Sequence, residues 1–211
     1  MAAGRSVVAA GKPQLEACCD WYSLGFCGPL EALATPIEEA HWALRAQCHD
    51  REALELLLRS VQPVLRRYVT GLIGADDADD LLQDVLVIIS RKLYWLEQPD
   101  LFRAWAFRIA SRVAFRHLKK RKRWVDATVD DAALDDIAAP DIAAPDDSIL
   151  ELLDSPALTP ASRAVLVLHF REEMPLAHVA AVLEIPIGTV KSRLAFGLKT
   201  LRKELRNGTR T

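Results

Sequence analysis

The stretch that decides the fold is Pro175–Leu205, which reads PLAHVAAVLEIPIGTVKSRLAFGLKTLRKEL. Apolar residues recur at helical spacing on both sides of an interruption at residues 184–186. The pattern predicts a short helix through Leu183, a three-residue turn, and a long helix from about Gly188 to Leu205. A short helix, a tight turn and a long basic helix are the parts of a DNA-reading helix-turn-helix.

The long helix divides its residues between a core side and a DNA side. We predict a core side made of Val190, Leu194, Leu198, Leu201 and Leu205. The start of the helix, which would enter the major groove, carries hydrogen-bond donors suited to phosphates and base edges: Thr189, Lys191, Ser192 and Arg193. The alternative is an ordinary helical hairpin, which gives no reason for polar residues to cluster there.

Charge divides the 211 residues into four parts. Net charges are −3 over residues 1–40, +6 over 41–123, −10 over 124–157 and +5 over 158–211. The segment 124–157 has no basic residue and repeats IAAPD, so we expect an extended linker. Two basic blocks joined by such a linker suggest two modules that share a polyanionic partner, although two ordinary helical domains with a solvated linker remain possible.

Residues 78–93 are predicted to form a helix with a small acidic surface. Asp76 or Asp77 can cap it, and the acids in its first turn complement the helix dipole. Gln83 and Asp84 lie further along the helix, where the dipole explains them less well. We therefore predict an exposed patch made of Asp80, Gln83 and Asp84.

Residues 102–124 mix aromatic and basic side chains on one predicted helix. Nine basic residues and no acidic one occur between Arg103 and Arg123. Such a helix can follow a phosphate backbone while its aromatic rings stack on unpaired bases. The residues predicted to contact nucleic acid are Trp105, Arg108, Arg112, Phe115, Arg116, Lys119 and Lys120. The alternative is a core Trp and Phe followed by a solvated basic tail.

Several classes of protein are disfavoured by what the sequence lacks. No apolar run reaches the roughly 18 residues of a membrane span, and residues 1–40 lack the layout of a secretory signal. Cys18, Cys19, Cys27 and Cys48 show no zinc-ligand spacing, which favours a reduced, cytoplasmic chain without a metal. We find no phosphate-binding Gly loop and no nucleophile–base pair, so neither a cofactor nor an enzymatic activity is expected.

Three segments together resemble one family. Ile187–Leu194 (IGTVKSRL) resembles the recognition-helix signature of bacterial RNA polymerase sigma factors of the extracytoplasmic-function (ECF) group. Residues 77–84 (DADDLLQD) resemble that group's second-region signature, and residues 102–110 (FRAWAFRIA) resemble its next helix. The three segments occur in the order that the family has.

The resemblance implies an all-α fold of two small helical domains joined by a flexible acidic linker. Residues 41–123 would be a sigma-2-like domain and residues 158–206 a sigma-4-like helix-turn-helix, with 124–157 as linker, 207–211 as tail and 1–40 as an unassigned extension. It implies an alternative sigma factor that opens promoter DNA and starts transcription.

The resemblance also implies partners for each surface. Asp80, Gln83 and Asp84 would bind the β′ clamp of core RNA polymerase, which the protein would also contact through the β subunit. The helix containing Trp105 would open and read the minus-ten promoter element, and the helix-turn-helix would bind the minus-thirty-five element. An anti-sigma factor is a possible further partner. Arg112 and Arg116 stand where the family often has Asn and Asp, which makes this helix more basic.

The residues by themselves leave two rival functions open. One is a conventional helix-turn-helix regulator with a sensory N-terminal half, which predicts a ligand pocket in the first block. The other is an adaptor that binds polymerase without DNA, and the two basic blocks argue against it.

Overall fold

The computed structural model describes residues 34–125 and 152–208. Every regular element in these two ranges is helical, as the sequence predicts for an all-α chain. The α-helices are α1 (Pro36–Gln47), α2 (Arg51–Ile73), α3 (Ala78–Lys92), α4 (Phe102–Val125), α5 (Pro160–Leu166), α6 (Leu176–Leu183) and α7 (Ile187–Gly208). We call α1–α4 the first module and α5–α7 the second module.

Helix α1 begins at Pro36, inside the segment 1–40 that the sequence left unassigned. Thr35 and Glu38 form a capping box, in which Glu38 N–H donates to Thr35 Oγ1 at 3.3 Å and Thr35 N–H donates to Glu38 Oε2 at 2.7 Å. Pro36 suits the first helical position because it has no N–H to satisfy. The expected boundary at residue 40 therefore falls within a folded helix, and residues 1–33 lie outside the description.

Helix α2 is the centre of the first module. Its stripe of apolar residues is buried where the helical period predicts it, with Leu57, Val61 and Leu65 fully covered. The Asp50 carboxylate caps the helix by accepting from Ala53 N–H at 3.1 Å. Gly74, with φ of 97°, follows the last helical residue, as expected for a residue that tolerates positive φ.

The N-terminus of α3 differs from the prediction. Asp77 occupies the N-cap position, but its side chain makes no capping hydrogen bond. The carboxylate turns instead toward α4, where Oδ2 lies 3.1 Å from Nε2 of His117 and 4.0 Å from Arg121. His117 thus ties the end of α4 to the start of α3.

The second module begins earlier than the predicted boundary at residue 158. Leu153 is fully buried, and Ser155 Oγ donates to Glu204 Oε2 of α7 at 2.6 Å. The C-terminal end of the predicted linker is therefore packed against this module. The rest of that linker, residues 126–151, lies outside the described ranges.

The helix-turn-helix forms as predicted, with small differences. Val190, Leu194, Leu198 and Leu201 of α7 are buried, whereas Leu205 is 40% exposed, so its assignment to the core was wrong. Helix α5 is followed by a π-helical turn, Val167–Arg171.

Polar contacts join the two modules. Arg103 of α4 donates to Glu39 of α1 at 2.8 and 3.2 Å, and its Nη1 lies 4.0 Å from the Glu172 carboxylate of the second module. Arg163 of α5 donates to the Gly71 carbonyl of α2. Within the described ranges, no helix is long and apolar enough to cross a membrane.

Candidate DNA and polymerase interfaces

The acidic surface of α3 lies where the sequence predicts it. Asp80, Gln83 and Asp84 are all exposed, at the i, i+3 and i+4 positions of one helix face. No ion pair joins these three side chains to another residue of the described ranges. The neighbouring Asp79 differs, because it accepts from Arg66 at 2.8 and 3.0 Å and the hydrogen bond from Arg66 lowers its pKa.

The structure adds an apolar residue to this surface. Val87 is 40% exposed and follows Asp84 by three positions, so it continues the same stripe. Sequence reasoning did not include Val87 in this surface. We call Asp80, Gln83, Asp84 and Val87 together the α3 patch.

The core side of α4 is wider than the sequence suggested. Phe107, an aromatic residue that stands between the cations Arg103 and Arg108 in the sequence, is fully buried. Its ring packs edge-to-face on Tyr68 of α2, with centroids 5.2 Å apart. Tyr68 Oη lies 2.7 Å from Oγ of the buried Ser111, and burial raises the pKa of Tyr68. This interface fixes which side of α4 faces outward.

The outward side of α4 carries the predicted nucleic-acid residues. Trp105, Arg108 and Phe115 are half-buried at its edge. The remaining members of the predicted set are exposed: Arg112, Arg116, Lys119 and Lys120. Aromatic edges beside cations therefore persist in the folded chain, although Phe107 does not belong to them. Side chains of residues 122–125, including Trp124, lie outside the description.

One further aromatic residue stands close to the start of α4. Trp95, in the 3₁₀ turn Leu93–Trp95 between α3 and α4, is 77% exposed. Its exposure follows only from the tertiary structure. Tyr94 beside it is half-exposed and lies against His49, with ring centroids 5.2 Å apart.

Two arginines of α4 contact the second module. Arg108 donates to the Ala181 carbonyl of α6 through Nε at 3.2 Å and Nη2 at 2.8 Å. Arg112 makes a two-pronged contact with the Glu184 carboxylate, in which Nε donates to Oε2 at 2.8 Å and Nη2 donates to Oε1. The hydrogen bond from Arg112 lowers the pKa of Glu184, and the same bond raises the pKa of Arg112. No local sequence pattern indicates this pairing, since 72 residues separate the partners.

The start of α7 presents the predicted donors. Lys191 is exposed, and Thr189, Ser192 and Arg193 are half-buried. Ser192 Oγ donates to the Thr189 carbonyl at 3.1 Å, which holds its side chain along the helix. The buried Val190 and Leu194 fix the rotation of α7, so these donors lie on its outer side.

Comparison with protein families assigns both modules. Residues 57–124 match the model described as Sigma-70 region 2, and residues 156–203 match the model described as Sigma-70, region 4. The RNA polymerase sigma-H factor of Pseudomonas aeruginosa is 30% identical over 174 residues, which cover 76% of this chain and 90% of that protein. The chain belongs to the sigma-70 family. The match of both regions goes against a regulator with a sensory N-terminal half.

Other relatives indicate which group of sigma factors the chain is similar to. The ECF RNA polymerase sigma factor SigW of Bacillus subtilis is 27% identical over 143 residues, covering 62% of this chain and 76% of that protein. Among solved structures, the sigma factor RpoE of Bartonella quintana, in complex with the anti-sigma factor NepR, matches with a TM-score of 0.53 and 27% identity. That match covers 72% of this chain and 94% of the RpoE chain.

A second solved structure, CnrH in complex with the cytosolic domain of CnrY, has a TM-score of 0.55 and 22% identity over 81% of this chain and 98% of that one. At that identity, it supports the fold alone.

The two family matches and the ECF relative together identify the function. The protein is an ECF-type alternative sigma factor, which binds core RNA polymerase and promoter DNA and directs transcription initiation. Sigma factors are generally non-enzymatic initiation factors.

Proposed function

We propose that the α3 patch is the surface by which this sigma factor docks on core polymerase. Three polar side chains with no internal ion pair stand beside a half-exposed valine, and this mixture suits a partner helix with basic and apolar residues. A basic β′ clamp would meet complementary charge there. One observation carries the proposal. The Asp79 carboxylate pairs with Arg66 of the same module, whereas the carboxylates of Asp80 and Asp84 make no ion pair within the described ranges.

Charge reversal at Asp84 tests this docking surface. Replacing Asp84 by Arg should weaken binding of the full chain to core polymerase by about 1–3 kcal/mol, or roughly 5–150-fold, since like charges would then face each other at a desolvated contact. The matched control is Glu55→Arg, an exposed acid of α2 that makes one i, i+4 ion pair with Arg59. Equal affinities for Asp84→Arg and Glu55→Arg, measured by fluorescence anisotropy, would remove the assignment.

We propose that the two modules divide the work on DNA. The outward side of α4 combines exposed cations with the half-buried rings of Trp105 and Phe115, and this combination suits opened strands with unstacked bases at the minus-ten element. The start of α7 offers short and long donors without aromatic residues, as suits base edges of duplex DNA at the minus-thirty-five element.

Mutants of the two surfaces should fail at different steps. Arg193→Ala should reduce formation of the closed promoter complex, by about 1–3 kcal/mol where a bidentate base contact is lost. The double variant Arg112→Ala, Arg116→Ala should slow strand opening, and a pre-melted promoter bubble should restore its activity. Both are measured by transcription with core polymerase on genomic promoter fragments. Rescue of Arg193→Ala by the bubble, without rescue of the double variant, would reverse the assignment.

We also propose an anti-sigma partner, since the sigma factor RpoE of Bartonella quintana was solved in complex with one. We propose a cytoplasmic location, because the protein would act together with core polymerase there. Core polymerase performs the chemistry, and we assign no catalytic activity to the chain itself. Affinity capture of the full chain from its own cells should recover core polymerase subunits. Recovery of neither polymerase nor a small partner protein would contradict both assigned partners.

A further inference from the structure

The contacts between the modules fall on the same side of α4 that we assign to promoter DNA. Helix α6 packs along α4. Arg108 donates to the α6 carbonyl of Ala181, and Arg112 holds the carboxylate of Glu184 at the C-terminal end of α6. Two of the seven residues proposed for the minus-ten surface are thus occupied by the second module.

The partner of Arg112 resembles a phosphate in its chemistry. A guanidinium binds a carboxylate or a phosphate with the same two-pronged geometry. Arg112 and Glu184 remain 52% and 42% exposed, so solvent and a competing anion can reach the pair. A DNA phosphate and the Glu184 carboxylate therefore compete for one guanidinium.

The backbone at Glu184 points to a role for its side chain. Glu184 has φ of 57° and ψ of 42°, the left-handed conformation in which helices usually end with Gly or Asn. Its side chain is too exposed to contribute to the core. A left-handed position that favours glycine is thus occupied by a glutamate, and the carboxylate of that glutamate accepts hydrogen bonds from Arg112.

We propose that the free chain holds a closed state in which Glu184 is a latch over the DNA-facing side of α4. In this state the helix-turn-helix occupies hydrogen-bond donors of Arg108 and Arg112, and binding of a DNA strand along α4 requires the modules to separate. The inference rests on the proposed function for its assignment of α4 to DNA. An exposed ion pair is weak, so the latch is reversible and shifts the opening equilibrium only a few-fold.

The substitution Glu184→Gly separates the latch from the stability of the fold. Glycine adopts this left-handed conformation without strain, so the variant should melt no lower than the wild-type chain. The matched control is Glu173→Gly, since Glu173 is also an exposed glutamate of the second module with positive φ, at 53°. Both variants lose one negative charge, so a general electrostatic effect on DNA binding appears equally in both.

The first measurement is the affinity of the full chain, without polymerase, for a short fluorescein-labelled single-stranded oligonucleotide. When only the open state binds, the apparent dissociation constant equals the intrinsic constant divided by the open fraction. Glu184→Gly should therefore bind about two- to fivefold more tightly than Glu173→Gly at low salt. Equal affinities of these two variants would overturn the latch.

The second measurement follows the modules directly by energy transfer between two dyes. The exposed Cys48 labels the first module and Lys199→Cys labels α7, after Cys18, Cys19 and Cys27 are replaced by Ser. Saturating oligonucleotide should lower the transfer efficiency as the modules separate. Binding with unchanged transfer would show that DNA reaches the closed state, and would overturn the inference.

A third variant distinguishes failure of the latch from failure of the proposed function. In the Glu184→Gly background the latch is already absent, so adding Arg112→Ala tests only the contact with DNA. Weaker oligonucleotide binding by this double variant supports the assignment of α4. Unchanged binding would refute that assignment, whereas the comparison of Glu184→Gly with Glu173→Gly decides the latch.

Discussion

The buried hydroxyl pair between α2 and α4 allows a quantitative test of what fixes the rotation of α4. Tyr68 of α2 is 2% exposed, Ser111 of α4 is 2% exposed, and their oxygens lie 2.7 Å apart. In Tyr68→Phe, the Ser111 hydroxyl remains buried and loses its partner. In Ser111→Ala, the Tyr68 hydroxyl likewise remains buried and loses its partner.

Each single variant should lose about 1–3 kcal/mol of unfolding free energy, which is the usual cost of leaving a buried polar group unpaired. The cost for Tyr68→Phe should lie near the lower end, because a helical serine can turn its hydroxyl to the carbonyl four residues earlier. The double variant Tyr68→Phe, Ser111→Ala removes both polar groups and keeps the packing of the ring on Phe107. Its stability should therefore lie close to that of the wild-type chain.

Urea unfolding of the full chain, followed by far-UV circular dichroism, measures these differences. The prediction is a coupling energy of about 2–4 kcal/mol between the two sites, which is the sum of the two single losses when the double variant is as stable as the wild-type chain. Single-variant effects that add up in the double variant would refute the reasoning, because they would show that the two hydroxyls act independently.

Two further predictions concern the second module. Burial raises the pKa of Glu172, so its contribution to stability is present below pH 4.5 and is lost as the pH rises through the raised pKa. The variant Glu172→Gln should lack this decline, so its advantage in melting temperature should grow between pH 4.5 and 8, and a pH-independent difference would contradict the assignment. Gly197→Ala would place a Cβ 2.7 Å from Cδ1 of the fully buried Leu166. Overpacking should cost about 1–3 kcal/mol of unfolding free energy, which should exceed the gain of about 1 kcal/mol from the higher helix propensity of alanine. A higher melting temperature for the alanine variant would show that Leu166 moves aside without strain.

The sequence by itself determined the helices and the residues that could contact DNA. In α7, the spacing of Val190, Leu194, Leu198 and Leu201 identifies the core side, which also places Lys191 and Arg193 outside. The position of Gln83 and Asp84 beyond the first turn of α3 identifies the polar residues of the α3 patch in the same way. Such predictions succeed because the helical period is a local property that each segment carries alone. The start of α1 was missed, although Thr35-Pro36 and Glu38 carry the signature of a capping box.

Only the tertiary structure decided how residues far apart in the chain share the available surfaces. Phe107 and Trp105 are both aromatic residues among cations in the sequence, yet Phe107 packs on Tyr68 and Trp105 remains at the edge. Arg112 and Arg116 are equivalent by spacing, but Arg112 meets Glu184 of the second module. Neither outcome has a local signal, because each depends on the packing of one helix against another and on which opposite charge that packing brings within reach.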